Sequence, residues 1–184
     1  MQENPNQVEH PFLPYLVPPE QVKLPSGRTV QIPTCYYCFK PWFYVIPFGT
    51  YGHKEVLDIG EPVFAELAIL RVLQRAGWDG VWVDSSRRKF RTAWPDTAEN
   101  CCELRDGPAK FFNSICRADG QRGGCFDVFA WNGGDYLFVE AKRRRKDKIR
   151  KSQREWLEAA LNTKCKPESF LVFEWDVDDQ MNAC

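Results

Sequence analysis

Asp127, Glu140 and Lys142 are the side chains whose types and spacing could do chemistry together. They sit on two apolar segments, Cys125–Trp131 and Tyr136–Lys142, separated by Asn132-Gly133-Gly134-Asp135. Aromatic and β-branched residues bounded by Gly-Gly predict a β-hairpin. With Gly133 and Gly134 in the turn, Asn132 faces Asp135, Phe129 faces Phe138, and Asp127 faces Glu140. A four-residue loop starting at Asn132 gives the same register. Directly opposed residues hold their Cβ atoms about 4.5–5.5 Å apart, where like charges repel. Period-two alternation also puts Lys142 on the face of Glu140.

Two carboxylates and one ammonium therefore crowd one patch. A proton shared between the acids, Lys142 itself, or a divalent cation would offset the repulsion. A hard cation such as Mg²⁺ takes oxygen ligands from one or two carboxylates and keeps several waters. The plainer alternative is that acids and lysines at strand ends are simply solvated. Val128, Leu137, Val139 and Ala141 make one face of the hairpin apolar, while Phe129, Tyr136 and Phe138 flank the acids. The hairpin is thus expected to be covered on both sides.

Other elements must position this patch. Asp58-Ile59-Gly60-Glu61-Pro62 offers a cap and an early proline, and predicts a helix reaching Ala76-Gly77. Its stripe is Val63, Leu67, Leu70 and Leu73, widened by Phe64 and Ile69. Glu66 lies on or beside that stripe and needs a partner, either an arginine or the same cation. Glu61 is more simply explained by the helix dipole. Asp79–Asp84 reads as a strand. The long connection Ser85–Arg122 begins with Arg87, Arg88, Lys89, Phe90 and Arg91, near Trp94. Such a mixture suits phosphate contacts with stacking, or an ordinary solvated loop. Residues 107–118 predict a helix with Phe111, Phe112 and Ile115 inward. After the hairpin comes a basic run, with Arg143, Arg144, Arg145, Lys146, Lys148 and Arg150. It starts on the acidic patch, which makes a phosphate-backbone contact credible. A helix then starts near Arg150–Ser152, with Ser152 and Glu155 as a capping box and Trp156, Leu157, Ala160 and Leu161 inward. Gln153 falls in its first turn, near the end of the Glu140 strand. Phe170–Phe173 reads as a buried strand reached by a crossover.

The first fifty residues are richer in proline. Val22–Val45 could supply short strands around Pro25-Ser26-Gly27, giving an arm or small β element that packs on the main domain. Met1–Val8 is expected to be mobile. Cys35 and Cys38 form the one CxxC pair; with no second pair and His53 alone, two structural cysteines are expected rather than a zinc knuckle. The chain has 184 residues, with 25 basic and 25 acidic side chains, so a uniformly basic protein is excluded while a local basic patch is not. Eight cysteines without other marks of a secreted scaffold suggest reduced thiols and a cytoplasmic, intracellular protein. No apolar run is long enough to span a bilayer, so no membrane partner is expected.

Asp127 followed by Glu140-Ala141-Lys142 resembles the Asp…(Asp/Glu)-x-Lys signature of the PD-(D/E)xK nuclease superfamily. Gly124-Cys125-Phe126-Asp127-Val128 resembles the Gly-x-Pro-Asp-Leu segment of its VRR-NUC branch, with Phe126 in place of proline. Asp147-Lys148-Ile149, Gln153 and Trp156-Leu157 resemble that branch's Asp-Arg-Leu…Gln-x-x-Trp-Leu segment, and Arg150 replaces a frequent serine. Glu66 fits the glutamate of the first core helix. The resemblance implies an α/β restriction-endonuclease-like core, a central mixed sheet of four to five strands flanked by helices. It would span residues 59–178, with residues 1–58 as an extension packed on it and 179–184 as a tail. It implies metal-dependent hydrolysis of phosphodiester bonds in DNA, with RNA as the alternative substrate and endonucleolytic cutting expected, either structure-selective or sequence-specific. Asp127, Glu140 and the Ala141 carbonyl would hold Mg²⁺ or Mn²⁺. Glu66 would ligate directly or through water, Lys142 would orient the attacking water, and Gln153 would position that lysine or the water. The reading from another class is a nucleic-acid-binding module acting only within a larger complex. A homodimer, or a protein partner docked on the N-terminal extension, is the further association expected.

Overall fold

The computed structural model describes residues 12–46, 49–50, 55–95, 97–119, 123–163 and 165–178. The expected mobile stretch 1–8, His53 and the tail 179–184 lie outside these residues. The chain is α/β, with one mixed sheet and three α-helices among the described residues. In order, its elements are β1 (Leu16–Lys23), β2 (Thr29–Pro41), β3 (Leu57–Asp58), β4 (Pro62–Val63), α1 (Ala65–Arg75), β5 (Asp79–Asp84) and β6 (Lys89–Arg91). Then follow β7 (Cys101–Cys102), α2 (Asp106–Asp119), β8 (Val128–Asn132), β9 (Asp135–Arg143), α3 (Lys151–Leu161) and β10 (Phe170–Val177).

The hairpin forms in the predicted register. Val128 pairs with Val139, Phe129 with Phe138, and Asn132 with Asp135. Gly133 turns the chain at φ 58°, a left-handed conformation that side chains disfavour. β10 lies parallel to β9, so α3 is the crossover between them. The sheet runs β4-β3-β2-β10-β9-β8-β5-β6-β7, with β1 paired to β2. α1 covers one face, burying Leu67, Ile69, Leu70 and Leu73 with Val128, Val139 and Leu171. α2 and α3 cover the other, where Phe112, Ile115 and Trp156 pack with Phe129, Phe138 and Phe170. Each such side chain contributes roughly 1.5–3 kcal/mol when fully buried. The double covering is why the hairpin reads as almost continuously apolar.

Three expectations need correction. First, the sheet has ten strands among the described residues, not four or five. The N-terminal segment enters it: β2 runs parallel to β10, from Thr34 beside Val172 to Phe39 beside Val177. The prolines that suggested an arm are accommodated locally. Pro18 and Pro19 fall at an irregularity of the edge strand β1, and Pro33 lies where β2 has no paired partner. Second, α1 begins at Ala65, not after Asp58. Asp58 instead accepts the Gly60 N–H at 2.9 Å, and β3 and β4 pair around that turn. Glu61 answers Arg71 at 3.1 Å rather than a helix dipole.

Third, the segment 87–91 is not an open basic loop. Its end is β6, paired to β5, and Arg91 is 0% exposed. Its Nε lies 2.9 Å from Asp84 Oδ2, and its guanidinium stands 5.6 Å from the Trp82 ring centroid. Arg87 reaches the same carboxylate oxygen at 3.4 Å. Burial alone would push the Asp84 carboxyl up, but hydrogen bonds from Ser86, Arg91 and the Arg87 N–H hold it below its ordinary value. Arg91→Met should therefore cost about 3 kcal/mol in urea unfolding, because it removes the buried guanidinium of the pair and leaves Asp84 only Ser86 and the half-exposed Arg87. An unchanged midpoint would contradict this reading of the pair.

Candidate functional site

Local structure brings four of the five expected site residues into one hydrogen-bonded group. Asp127 stands just before β8. Its carbonyl accepts the Val83 N–H at 2.7 Å, and its Oδ2 accepts the Ala141 N–H at 3.0 Å. The side chain thus reaches across the hairpin and takes up a β9 donor. On β9, Lys142 Nζ donates to Glu140 Oε1 at 2.6 Å. The crossover sets the first turn of α3 beside them. Gln153 Nε2 donates to Glu140 Oε1 at 2.5 Å, while Gln153 Oε1 accepts from Lys142 Nζ at 3.1 Å and from the Arg150 N–H at 2.9 Å. Gln153 therefore also caps α3. The expected Ser152–Glu155 box does not form, and Glu155 lies 3.7 Å from Lys151 instead. A glutamine that caps the helix while binding both Glu140 and Lys142 locks the helix start to the strand end.

Gly124 makes this approach possible. It sits at φ +86°, and a Cβ there would lie 2.3 Å from the Ser152 carbonyl oxygen. That atom is backbone and cannot swing aside. Gly124→Ala combines a left-handed strain of about 1–2 kcal/mol with displacement of the α3 start. It should lower the thermal midpoint and also disrupt the Gln153–Glu140 contact. A variant as stable as the parent would show that α3 is not held this closely.

Glu66, in the first turn of α1, joins Asp127, Glu140, Ala141, Lys142 and Gln153 around a cavity of about 610 Å³. Glu140 is 2% exposed, whereas Glu66 and Asp127 keep a partly open edge towards the cavity. Surrounding atoms still desolvate all three. Burial, then the Asp127 charge, pushes Glu66 up to about 8. Burial raises Asp127 too, against the pull of the Ala141 N–H and Lys142. Burial and the Asp127 charge push Glu140 well up, against Lys142 and Gln153. The carboxylates therefore repel one another, as the hairpin register predicts. Lys142 and Gln153 satisfy only one oxygen of Glu140. The other, Oε2, is buried and meets no N–H or O–H donor, so that only a proton held between the two acids would join Glu140 to Asp127.

Such an orphaned oxygen invites a proton or a cation. The available donors are carboxylate oxygens and a main-chain carbonyl, the chemistry that hard divalent ions prefer. Among the described residues, no three His, Cys, Asp or Glu side chains converge closely enough to enclose a metal ion. An ion here would be held by few protein ligands and by water, which suits Mg²⁺ better than a caged ion. Cys35 and Cys38 contribute nothing: three apart on β2, one is buried and the other exposed, and both are free.

The expected nucleic-acid contacts divide into two groups. Arg91 is enclosed and Arg87 pairs with Asp84, so neither is a free phosphate ligand. Arg88 and Lys89 are exposed at the β5–β6 turn, and do not line the cavity. Arg143, Lys146 and Arg150 do line it. Arg143 pairs with Glu55, lies 3.5 Å from Asp176 and packs against the Trp175 ring at 5.6 Å. Arg144 stands over the Tyr36 ring at 4.2 Å, and Arg145 and Lys148 are exposed. Glu55 and Trp175 also line the cavity and were not foreseen. Glu55 fell in the segment read as an extension, and Trp175 lies beyond the apolar run that marked β10. Only the full length of β10 and its pairing with β2 reveal either. Among the described residues, no helix is long and apolar enough to cross a membrane. No family model matches the chain, nor does any curated protein or solved structure.

Proposed function

We propose that the chain is a metal-dependent nuclease of the PD-(D/E)xK type that hydrolyses phosphodiester bonds in DNA, cutting internally. The observation that carries this reading is the divided state of Glu140. One oxygen is fixed by Lys142 and Gln153, and the other is buried without an N–H or O–H donor among mutually repelling carboxylates. Asp127, Glu140 and the Ala141 carbonyl would hold Mg²⁺ or Mn²⁺, with Glu66 ligating directly or through water. When bound, the metal would lower the pKa of a water and stabilise charge on the scissile phosphate. Lys142 is held by Glu140 and Gln153 so that its ammonium stays at the site, where it would orient the attacking water and stabilise developing negative charge. Lys146 and Arg150, exposed at the rim, would meet the phosphates on either side, while Arg143 is held by Glu55 and Asp176.

The alternative is a nucleic-acid-binding module that turns over only within a larger complex. The exposed cations Lys146 and Arg150 beside the cavity would serve it equally well. A cleavage assay on linear, nicked, branched and single-stranded DNA, with Mg²⁺ or Mn²⁺ and with EDTA, separates the two. Metal-dependent cutting by the isolated chain supports the nuclease. Metal-independent binding without cutting supports the module.

A further inference from the structure

A second concavity adjoins the carboxylate cavity. It has a volume of about 1040 Å³ and lies between β1 and the chain from Arg144 to Arg154. Lys142 and Asp147 line both spaces, so the groove opens beside the site. Its outer wall is the β1–β2 hairpin. That wall is anchored: the Ser26 N–H points at both carboxylate oxygens of Glu158 on α3, each at 3.3 Å, and Val22, Leu24 and Ile32 join the core beneath α3.

Seven cations line this groove: Lys142 from β9, and six more from three other elements. Lys23 comes from the end of β1, Arg144, Arg145 and Lys148 from the connecting segment, and Lys151 and Arg154 from α3. Three carboxylates, Glu20, Asp147 and Glu174, face these seven cations and leave the groove cationic. Asp147 accepts the Arg143 N–H at 3.0 Å, and Glu174 lies 3.9 Å from Arg144. Like charges brought together across a concavity repel unless a polyanion lies between them, and concave walls focus the potential. Between the cations the lining is apolar: Val17, Pro18 and Pro25 are exposed on the hairpin wall, backed by the buried Val22, Leu24 and Ile149.

We propose that this groove binds a single DNA strand leading away from the scissile phosphate, with its phosphates on the cationic side and its bases against the apolar hairpin wall. The proposal rests on the nuclease reading above and adds the form of the substrate. A duplex turns only its hydrated outer backbone towards a protein groove. A single strand also offers base faces, which an apolar wall can cover. The N-terminal hairpin thus becomes part of the substrate site, and single-stranded tails or flaps are the favoured DNA.

The test is fluorescence anisotropy on the full chain in EDTA, so that binding is read without cleavage. The probes are a blunt duplex and the same duplex carrying a single-stranded tail of either polarity. The tailed probe should bind at least about tenfold more tightly, with a steeper salt dependence. Lys23→Glu combined with Lys151→Glu should abolish that advantage and flatten the salt slope by about two. Both lysines are exposed, and a thermal melt checks the fold. The Lys→Gln pair, which removes charge without reversing it, should show a smaller loss of the same kind. Equal binding of blunt and tailed DNA would overturn the proposal, as would variants that weaken both probes alike or neither. Tail binding through the groove with no cleavage under any divalent metal would instead overturn the nuclease reading alone. Cleavage of tailed DNA with the groove variants unaffected would remove the groove and leave the nuclease.

Discussion

Lys142→Met should lower the rate of DNA cleavage by about 100- to 1000-fold in single-turnover measurements, the range for losing one preorganised charge that stabilises a transition state. Lys142 is 6% exposed, and its ammonium is fixed at 2.6 Å from Glu140 and 3.1 Å from Gln153. Methionine matches the length of the side chain and its apolar stem, but brings no charge. Divalent metal binding should persist, because the carboxylates remain. The methionine variant also removes the one ammonium that offsets Glu140, so its carboxyl should take up a proton more readily. A variant that cleaves at the parent rate would show that Lys142 is merely the structural partner of Glu140.

Asp127→Asn should abolish detectable cleavage and yet raise the thermal midpoint in EDTA. Asparagine can still accept the Ala141 N–H through its amide oxygen, so the hairpin contact survives. It removes the charge that pushes both Glu66 and Glu140 up. Relief of about 1–2 kcal/mol corresponds to a rise of roughly 2–8 °C for a chain of this size. A loss of activity accompanied by a fall in stability would point to a structural rather than a functional aspartate.

The same repulsion gives a pH dependence. A buried carboxyl raised from 4.5 to about 8, as Glu66 is, favours the folded state while protonated. That contribution is complete below the unfolded value. It is lost progressively as pH rises from about 4.5 through 8, because ionising the buried acid then costs free energy. In EDTA, the midpoint should therefore fall across this window, and Glu66→Gln should make the fall shallower. A wild-type profile that is flat, or that rises with pH, would contradict the crowded-acid account.

Much of the site was legible because its spacing is local. The Gly133-Gly134 turn and the Phe129–Phe138 pair fix the register, and the register alone brings Asp127 towards Glu140. Gln153 was legible because a crossover helix must begin near the end of its strand. The rest depends on long-range pairing. Nothing within β2 announces that it will lie beside β10, and its prolines argue locally against a strand. Arg91 looks like a surface cation until the β5–β6 turn folds it onto Asp84, seven residues earlier. The true start of α1 was hidden because Asp58, a plausible helix cap, is used by a tighter turn. The basic groove could not be read either, since Lys23 and Lys151 meet only through the hairpin's anchorage to α3.

Titration of Mg²⁺ and Mn²⁺ into the nucleic-acid-free protein by calorimetry, in buffers of different ionisation enthalpy near pH 7, tests the central claim most directly. If the crowded carboxyls carry a proton until a cation replaces it, binding should release about one proton, and the apparent heat should change with the buffer. Asp127→Asn should abolish that signal. No divalent binding, or binding that neither releases a proton nor depends on Asp127, would contradict it.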